Sequence, residues 1–357
     1  MMSTESYPTS SPLYGDEEEN ESYFYYHEGR RMPAQGVYCL PADQEEFDRL
    51  ESVHQMTTAV LGGLCWGPVE KKLAPRPSGR RRCVLDVGTG TGSWVREMAE
   101  KHPNADFVGI DIVPIPPPAS AMSGYKPPSL LRTVQYSDQE TAMYSDSPSP
   151  TRNILQPVYD YSSRASSPCS DTPAQTEVAH TERSNVRFEI HDLARGLDFP
   201  DGTFDVVHCR YVLTLGAIKY KTAIKEILRV LRPGGLLLMA ESSVPFCLSD
   251  GTDPPVGTAT RELLEMVRGS LRESGLDPEL RLKLKSVVGS YPQVDKVETR
   301  DVSIPLGDWP KDENLRPVGR IGLENLAVGL RSLTPLLRQA GYDDAMMSML
   351  ASRSILI

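Results

Sequence analysis

The residues with the plainest chemical content are Val84-Leu85-Asp86-Val87-Gly88-Thr89-Gly90-Thr91-Gly92. An apolar run ends in a glycine turn, and the turn opens what reads as a helix. Such a turn points backbone N–H groups and a helix N-terminus at a ligand lying beyond the strand end. A dinucleotide fingerprint would place its third glycine at 93, but residue 93 is serine. The spacing is instead D-x-G-x-G-x-G, with Asp86 two residues before the first glycine. An acid aimed at this turn suits a ligand carrying an ammonium group better than one presenting a pyrophosphate. A purely structural glycine turn is the competing reading.

Three further positions extend the pattern. Asp111 closes the apolar run Phe107-Val108-Gly109-Ile110-Asp111, 25 residues after Asp86. A carboxylate there can accept both hydroxyls of a ribose, although Asp also ends strands simply as a turn former. Asp192 follows the run Val186–Ile190 and can accept an adenine amino group, with Leu193 packed on the ring; by itself it would read as a helix cap. A ligand with adenine, ribose, an amine and a carboxylate but no phosphate is S-adenosyl-L-methionine. The run Phe204–Tyr211 exits beneath the methionine half of such a ligand. His208, Arg210 and Tyr211 are then the ionisable groups closest to a methyl acceptor. Against that stands a plainer reading, in which His208 is packed in the core and Arg210 is a structural ion-pair partner.

Elements that would position these residues are legible from periodicity. Asp43 and Glu46 form a capping box for a helix whose Phe47, Leu50, Val53, Thr57, Val60 and Leu64 share one face, with Gly62-Gly63 as its stop. Strands are predicted at Cys83–Val87, Asp106–Asp111, Val186–Ile190, Phe204–Cys209 and Leu236–Ala240. Helices are predicted at 93–102 and 219–231, the latter ended by Arg232-Pro233-Gly234-Gly235. Strands alternating with helices make an α/β fold with a parallel sheet. Weaker signals place a helix at 259–273, a strand near 294–304 and a helix at 323–338.

Composition sets the outer bounds. The chain has 357 residues and a net charge of −10, with 39% hydrophobic and 24% charged residues, as expected of globular protein. Residues 1–30 hold seven acids against one base, and 1–35 reads as a disordered acidic tail. Residues 114–185 hold 13 Ser and 11 Pro, so 114–184 reads as a disordered insert within a single domain made of 36–113 and 185–357. Ser147, Ser149, Ser167 and Thr172, each followed by Pro, are candidate phosphorylation sites within it. The rest is close to neutral, which argues against sequence-blind binding to nucleic acid or an anionic membrane. No apolar run approaches the roughly 20 residues of a membrane helix, and no signal peptide is visible. The six cysteines have neither zinc-ligand nor disulfide-framework spacing. A soluble intracellular protein, cytoplasmic or nuclear and without a metal, is expected.

Taken together, DVGTGTGSW (86–94), FVGID (107–111), NVRFEIHDL (185–193), FDVVHCRY (204–211) and LRPGG (231–235) resemble class I S-adenosylmethionine-dependent methyltransferases. Tyr38-Cys39-Leu40-Pro41 with Asp43, Glu46, Arg49-Leu50 and His54, and Ile304-Pro305-Leu306-Gly307-Asp308-Trp309-Pro310, are similar to the fungal LaeA-like subfamily, which regulates secondary metabolism. The resemblance implies a Rossmann-like sheet of seven strands, with an N-terminal helical lid. It implies cofactor contacts from Asp86, Gly88, Thr89, Gly90, Gly92, Asp111, Ile112, Asp192 and Leu193. Three departures stand out: the long insert beside the ribose acid, His191 where relatives tend to have an acid, and a chain that stops at Ser354-Ile355-Leu356-Ile357 where relatives add a final antiparallel strand.

The expected activity is methyl transfer from S-adenosyl-L-methionine to a small metabolite or a protein side chain. The cofactor carries its own activated leaving group, so no catalytic base need be present and none is assigned. The exit His-Cys-Arg-Tyr differs from the Asn/Asp-Pro-Pro-Tyr/Phe of many nucleic-acid amino methyltransferases, which argues against a base-flipping enzyme. The alternative is a cofactor-binding regulatory module that acts through protein partners with little or no turnover. Arg80-Arg81-Arg82 can be read as a nuclear signal, but three bases leading directly into a strand support that reading poorly. A truncated, inactive paralogue is a third reading.

Overall fold

Strand β3 (Arg82–Val87) lies at the centre of a five-stranded, all-parallel sheet. It is flanked by β4 (Ala105–Asp111) and, beyond that, β5 (Val186–Ile190). On its other side are β6 (Phe204–Arg210) and β7 (Leu231–Ala240), giving the order β5-β4-β3-β6-β7. The computed structural model describes residues 21–35, 38–117, 184–216, 219–242, 246–248 and 252–354. The Ser/Pro-rich insert, with its four candidate phosphorylation sites, lies outside them except for 114–117 and 184.

Pleating sorts the strand residues onto two faces. Leu85 and Val87 of β3 join Val207 and Cys209 of β6 in a core under helix α5 (Tyr220–Val230). Val84 and Val206 face the other way, onto Trp94, Val95 and Met98 of helix α3 (Ser93–Lys101). Because the chain leaves β3 for β4 on one side and later returns to β6 on the other, strand order reverses between β3 and β6. A crevice opens at that reversal, at the carboxyl ends of the strands.

Helix α1 (Gln44–Leu61) starts where its cap predicts. Asp43 accepts from the Glu46 N–H at 3.1 Å, and Gly62 ends the helix in the left-handed region. The capping box is only half formed, because the Glu46 carboxylate turns away. It is fully buried between Arg49, at 2.6 Å, and the Ser332 hydroxyl of helix α8 (Leu315–Ser332), at 2.9 Å. The lid helix is thereby fastened to the C-terminal helices rather than standing free.

Five expectations need correction. The acidic tail does not extend to residue 35: β1 (Phe24–His27) and β2 (Arg30–Pro33) form a hairpin. Glu28-Gly29, both at positive φ, supply its two-residue turn. Arg30 grips the helix cap Asp43 with two bonds, at 2.6 and 2.9 Å. Strand β7 begins at Leu231, not Leu236, and Pro233-Gly234-Gly235 fall at a register irregularity opposite Phe204–Val206. A proline and two glycines read as a stop, yet a bulge tolerates them within the strand.

Residues 294–304 form no strand. Just beyond them the chain lies along α8, where the Gly307 N–H bonds the Gly319 carbonyl at 2.7 Å and Pro305 fills the space beside Gly322. The helix expected at 323–338 is two helices, α8 and α9 (Thr334–Gln339), followed by α10 (Asp344–Ser354). The sheet therefore has five strands among the described residues, not seven. Helix α6 (Ala259–Glu273) sits where expected, capped by Thr258, and packs on Leu333, Leu336 and Leu337. No helix among the described residues is long and apolar enough to cross a membrane.

Candidate functional site

The glycine turn leaves β3 with Gly88, Gly90 and Gly92 all at positive φ, 65°, 58° and 74°. Gly92 has a second reason to be glycine. A Cβ there would stand 2.7 Å from Phe188 Cζ and 2.9 Å from Arg96 Nη1. The turn is held to β4 by two bonds: the Thr89 N–H donates to the Ile110 carbonyl at 2.9 Å, and the Gly90 N–H to Asp111 Oδ2 at 2.8 Å. Asp111 Oδ1 accepts the Ile112 N–H, also at 2.8 Å.

Asp111 thus takes backbone amides on both oxygens, and the Val113 amide adds a further bond. Burial pushes this carboxyl above the ordinary range, against the pull of the Gly90, Ile112 and Val113 amides. A carboxylate beside a glycine turn, at the end of the neighbouring strand, is placed where a ribose diol would be received. Ile112 packs among Phe47, Leu50 and Val113 at the same edge.

Asp86 is tied into the protein itself. It is 4% exposed. Oδ2 accepts the Thr89 hydroxyl at 2.7 Å, and Oδ1 accepts Nδ1–H of His208 at 2.7 Å. Its carboxylate ties the turn to β6 from within, and Thr89 shares the contact. His208 also lies flat on the Trp94 indole, with ring centroids 3.9 Å apart at 8°. Burial holds its imidazole below the usual histidine range, against the pull of Asp86. The packed-core reading of His208 is the one the structure supports.

Asp192 caps the turn Leu193–Arg195, accepting the Ala194 N–H at 2.9 Å, with Arg195 Nε 3.4 Å from its other oxygen. Leu193 is buried in the core beneath the sheet, among residues of β3 and α5. His191 is bound to Glu189 at 3.0 Å. The third strand end is thus in place, with its acid partly committed to its own turn.

The main addition to the site comes from α1. Its Glu51 accepts the Ser93 hydroxyl at 2.6 Å, at the start of α3. His54 is 3% exposed and joins Glu97 of α3, at 3.0 Å, to Arg210 of β6, at 2.9 Å. Thr57 meets the Tyr211 hydroxyl at 3.1 Å, and Tyr211 itself has φ 60°. A bulky residue in the left-handed region is strained, and such strain gathers at working sites. The clue is Glu51, His54 and Thr57, polar residues at three-residue spacing along α1. Among the described residues, the hydrogen-bond partner of Arg210 is an imidazole rather than a carboxylate.

Arg82 and Arg81 serve the sheet's amino edge, Arg82 bonding Asp205 at 3.2 Å and Arg81 bonding Asp106 at 2.6 Å. Among the described residues, no group of three or more His, Cys, Asp or Glu side chains is arranged to hold a metal ion.

A family model described as "Methyltransferase domain" matches residues 66–276. The chain belongs to the methyltransferase domain family. Among curated proteins, this methyltransferase is 28% identical over 321 residues to Methyltransferase pytC of Aspergillus terreus, covering 88% of this chain and 75% of that one. It is 27% identical over 327 residues to the Secondary metabolism regulator laeA of Coprinopsis cinerea, covering 89% and 65%. A shorter stretch of 118 residues is 37% identical to the Protein-methionine methyltransferase laeA of Emericella nidulans, covering 31% and 28%. Proteins named as methyltransferases and as laeA regulators thus both appear among its relatives, and α1 lies outside the family-model match.

Proposed function

We propose that this methyltransferase binds S-adenosyl-L-methionine in the crevice beyond β3, β4 and β6, and transfers its methyl group to a small metabolite or a protein side chain. The observation that carries the reading is the Asp111 clasp: one carboxylate at the end of β4, bonded to the Gly90 amide of the glycine turn and to the Ile112 amide. The residues fit the cofactor part by part. Asp111 receives the ribose hydroxyls, the glycine turn receives the amino-acid half, and Asp192 stands near the adenine. When bound, the cofactor supplies a methyl group on a sulfonium that already carries its leaving group.

What the chain supplies is placement and exclusion of water. Asp86 and His208 lock the turn against β6, so the crevice does not have to form on binding. Helix α1 covers it through Glu51, His54 and Thr57. The strained Tyr211 lies at the β6 exit, where an acceptor would approach. His208 is neutral and hydrogen-bonded within the core, so it is not a proton acceptor poised for the substrate. A regulatory role exerted through protein partners is compatible with this site and rests on the kinship with the laeA regulators.

Calorimetric titration of the full chain with S-adenosyl-L-methionine tests the proposal. Saturable one-site binding that Asp111→Ala weakens strongly is the expected result. A folded chain that shows no heat, or an Asp111→Ala variant that binds as the wild type does, would remove the cofactor reading.

A further inference from the structure

The register between β3 and β6 sets Asp86 opposite His208 and Val87 opposite Cys209. Continued by one residue, it brings Gly88, the first residue of the turn, level with Arg210, the last residue of β6. The seam where strand order reverses is therefore bordered by a glycine turn on one strand and a guanidinium on the next.

Arg210 is oriented by a chain of hydrogen bonds whose proton positions follow from chemistry alone. A guanidinium only donates and does not give up its charge. Its Nη2 lies 2.9 Å from Nδ1 of His54, so that nitrogen must present its lone pair. The His54 ring proton then sits on Nε2, which donates to Glu97 Oε1 at 3.0 Å. Glu97 and His54 thus fix one arm of the fork. The other arm, Nη1, is buried and has no hydrogen-bond partner among the described residues.

A buried, charged donor left without an acceptor is costly and rare in native proteins. Asp86, which shares the His208 surroundings with Arg210, is already engaged by His208 and Thr89. The missing acceptor is best supplied by a ligand, and a carboxylate oxygen makes the strongest such bond.

We propose that Arg210 anchors the amino-acid carboxylate of the cofactor, and that His54 is its positioning residue. The site would then favour adenosyl ligands that carry this carboxylate. The inference rests on the cofactor reading above and adds a residue-level origin for its specificity. A carboxylate on the methyl acceptor would present the same chemistry, but the alignment of Arg210 with Gly88 favours the cofactor.

The test compares two ligands that differ in the amino-acid half: S-adenosylhomocysteine, which has it, and 5′-methylthioadenosine, which lacks it. Both are titrated into the full chain, wild type and variant. Arg210→Met is expected to weaken S-adenosylhomocysteine by about tenfold or more while leaving 5′-methylthioadenosine unchanged. His54→Asn is expected to give a smaller loss, again for S-adenosylhomocysteine alone. Equal losses for both ligands would mean a merely structural arginine and overturn the proposal. Unchanged affinity for both would also overturn it, as an acceptor-binding arginine would behave. If Arg210→Met binds neither ligand because the site has collapsed, the His54→Asn pair decides by the same criterion. A wild type that binds neither ligand contradicts the underlying cofactor reading instead, and so is told apart from a failure of Arg210.

Discussion

Nδ1 of His208 stands 2.7 Å from Oδ1 of Asp86, joining the strand that feeds the glycine turn to its neighbour across the crevice. Burial disfavours the imidazolium, Asp86 offsets part of the effect, and Arg210 adds repulsion. The folded-state value is lowered, so as pH falls through the ordinary histidine range of about 6.5 the unfolded chain takes up a proton that the folded chain refuses. Stability contributed by neutral His208 is therefore present above that range and declines below it, until the folded ring also protonates. The urea midpoint of the wild type should fall between pH 7.5 and pH 5.5. A His208→Gln variant should show a shallower fall, and an identical one would disprove the linkage.

Asp86 is a clamp, so its loss should be felt first in folding. Asp86→Ala leaves a buried neutral imidazole and the Thr89 hydroxyl without their acceptor, at a cost of about 1–3 kcal/mol. Equilibrium urea unfolding measures it. A variant as stable as the wild type but weaker for the cofactor would show that Asp86 faces the ligand after all.

Gly92→Ala combines two penalties. A left-handed φ of 74° costs an L-residue about 1–2 kcal/mol, and the new Cβ would press on Phe188 and Arg96. The Phe188 ring also lies beside Gly109, so it has little room to move. A drop in thermal midpoint together with weakened cofactor binding is expected; a change in neither would mean the turn adjusts freely.

Glu46 carries a prediction about the lid. Glu46→Ala would leave Arg49 buried without its carboxylate and free the Ser332 hydroxyl, loosening α1 from α8. A loss of about 3–5 kcal/mol is expected. Amide exchange should rise in both helices, and protection confined to its wild-type level in α8 would contradict the coupling.

Much of the frame was legible in the sequence because local signals coincide there. Asp43 and Gly62 cap α1 as their residue types require, and four of the five sheet strands start within a residue of the expected place. What escaped was decided by distant partners. The tie from Asp86 to His208, 122 residues away, has no local signal. Pro233-Gly234-Gly235 reads as a terminator until the neighbouring strand accommodates a bulge. Tyrosines and acids at 21–28 look like a tail, yet Arg30 ties the hairpin to the α1 cap. The 294–304 segment has strand-like residues, but the chain beyond it finds its hydrogen-bond partner on a helix. In the site, the glycine turn and Asp111 were readable from spacing, whereas His54 and Thr57 needed the fold to bring α1 over β6.

A crystal structure of the chain with S-adenosylhomocysteine bears most directly on these conclusions. Both ribose hydroxyls should lie within hydrogen-bond distance of the two Asp111 oxygens, with the amino-acid half between the glycine turn and Arg210. A ligand bound elsewhere, or a ribose turned away from Asp111, would contradict the cofactor site described for this methyltransferase.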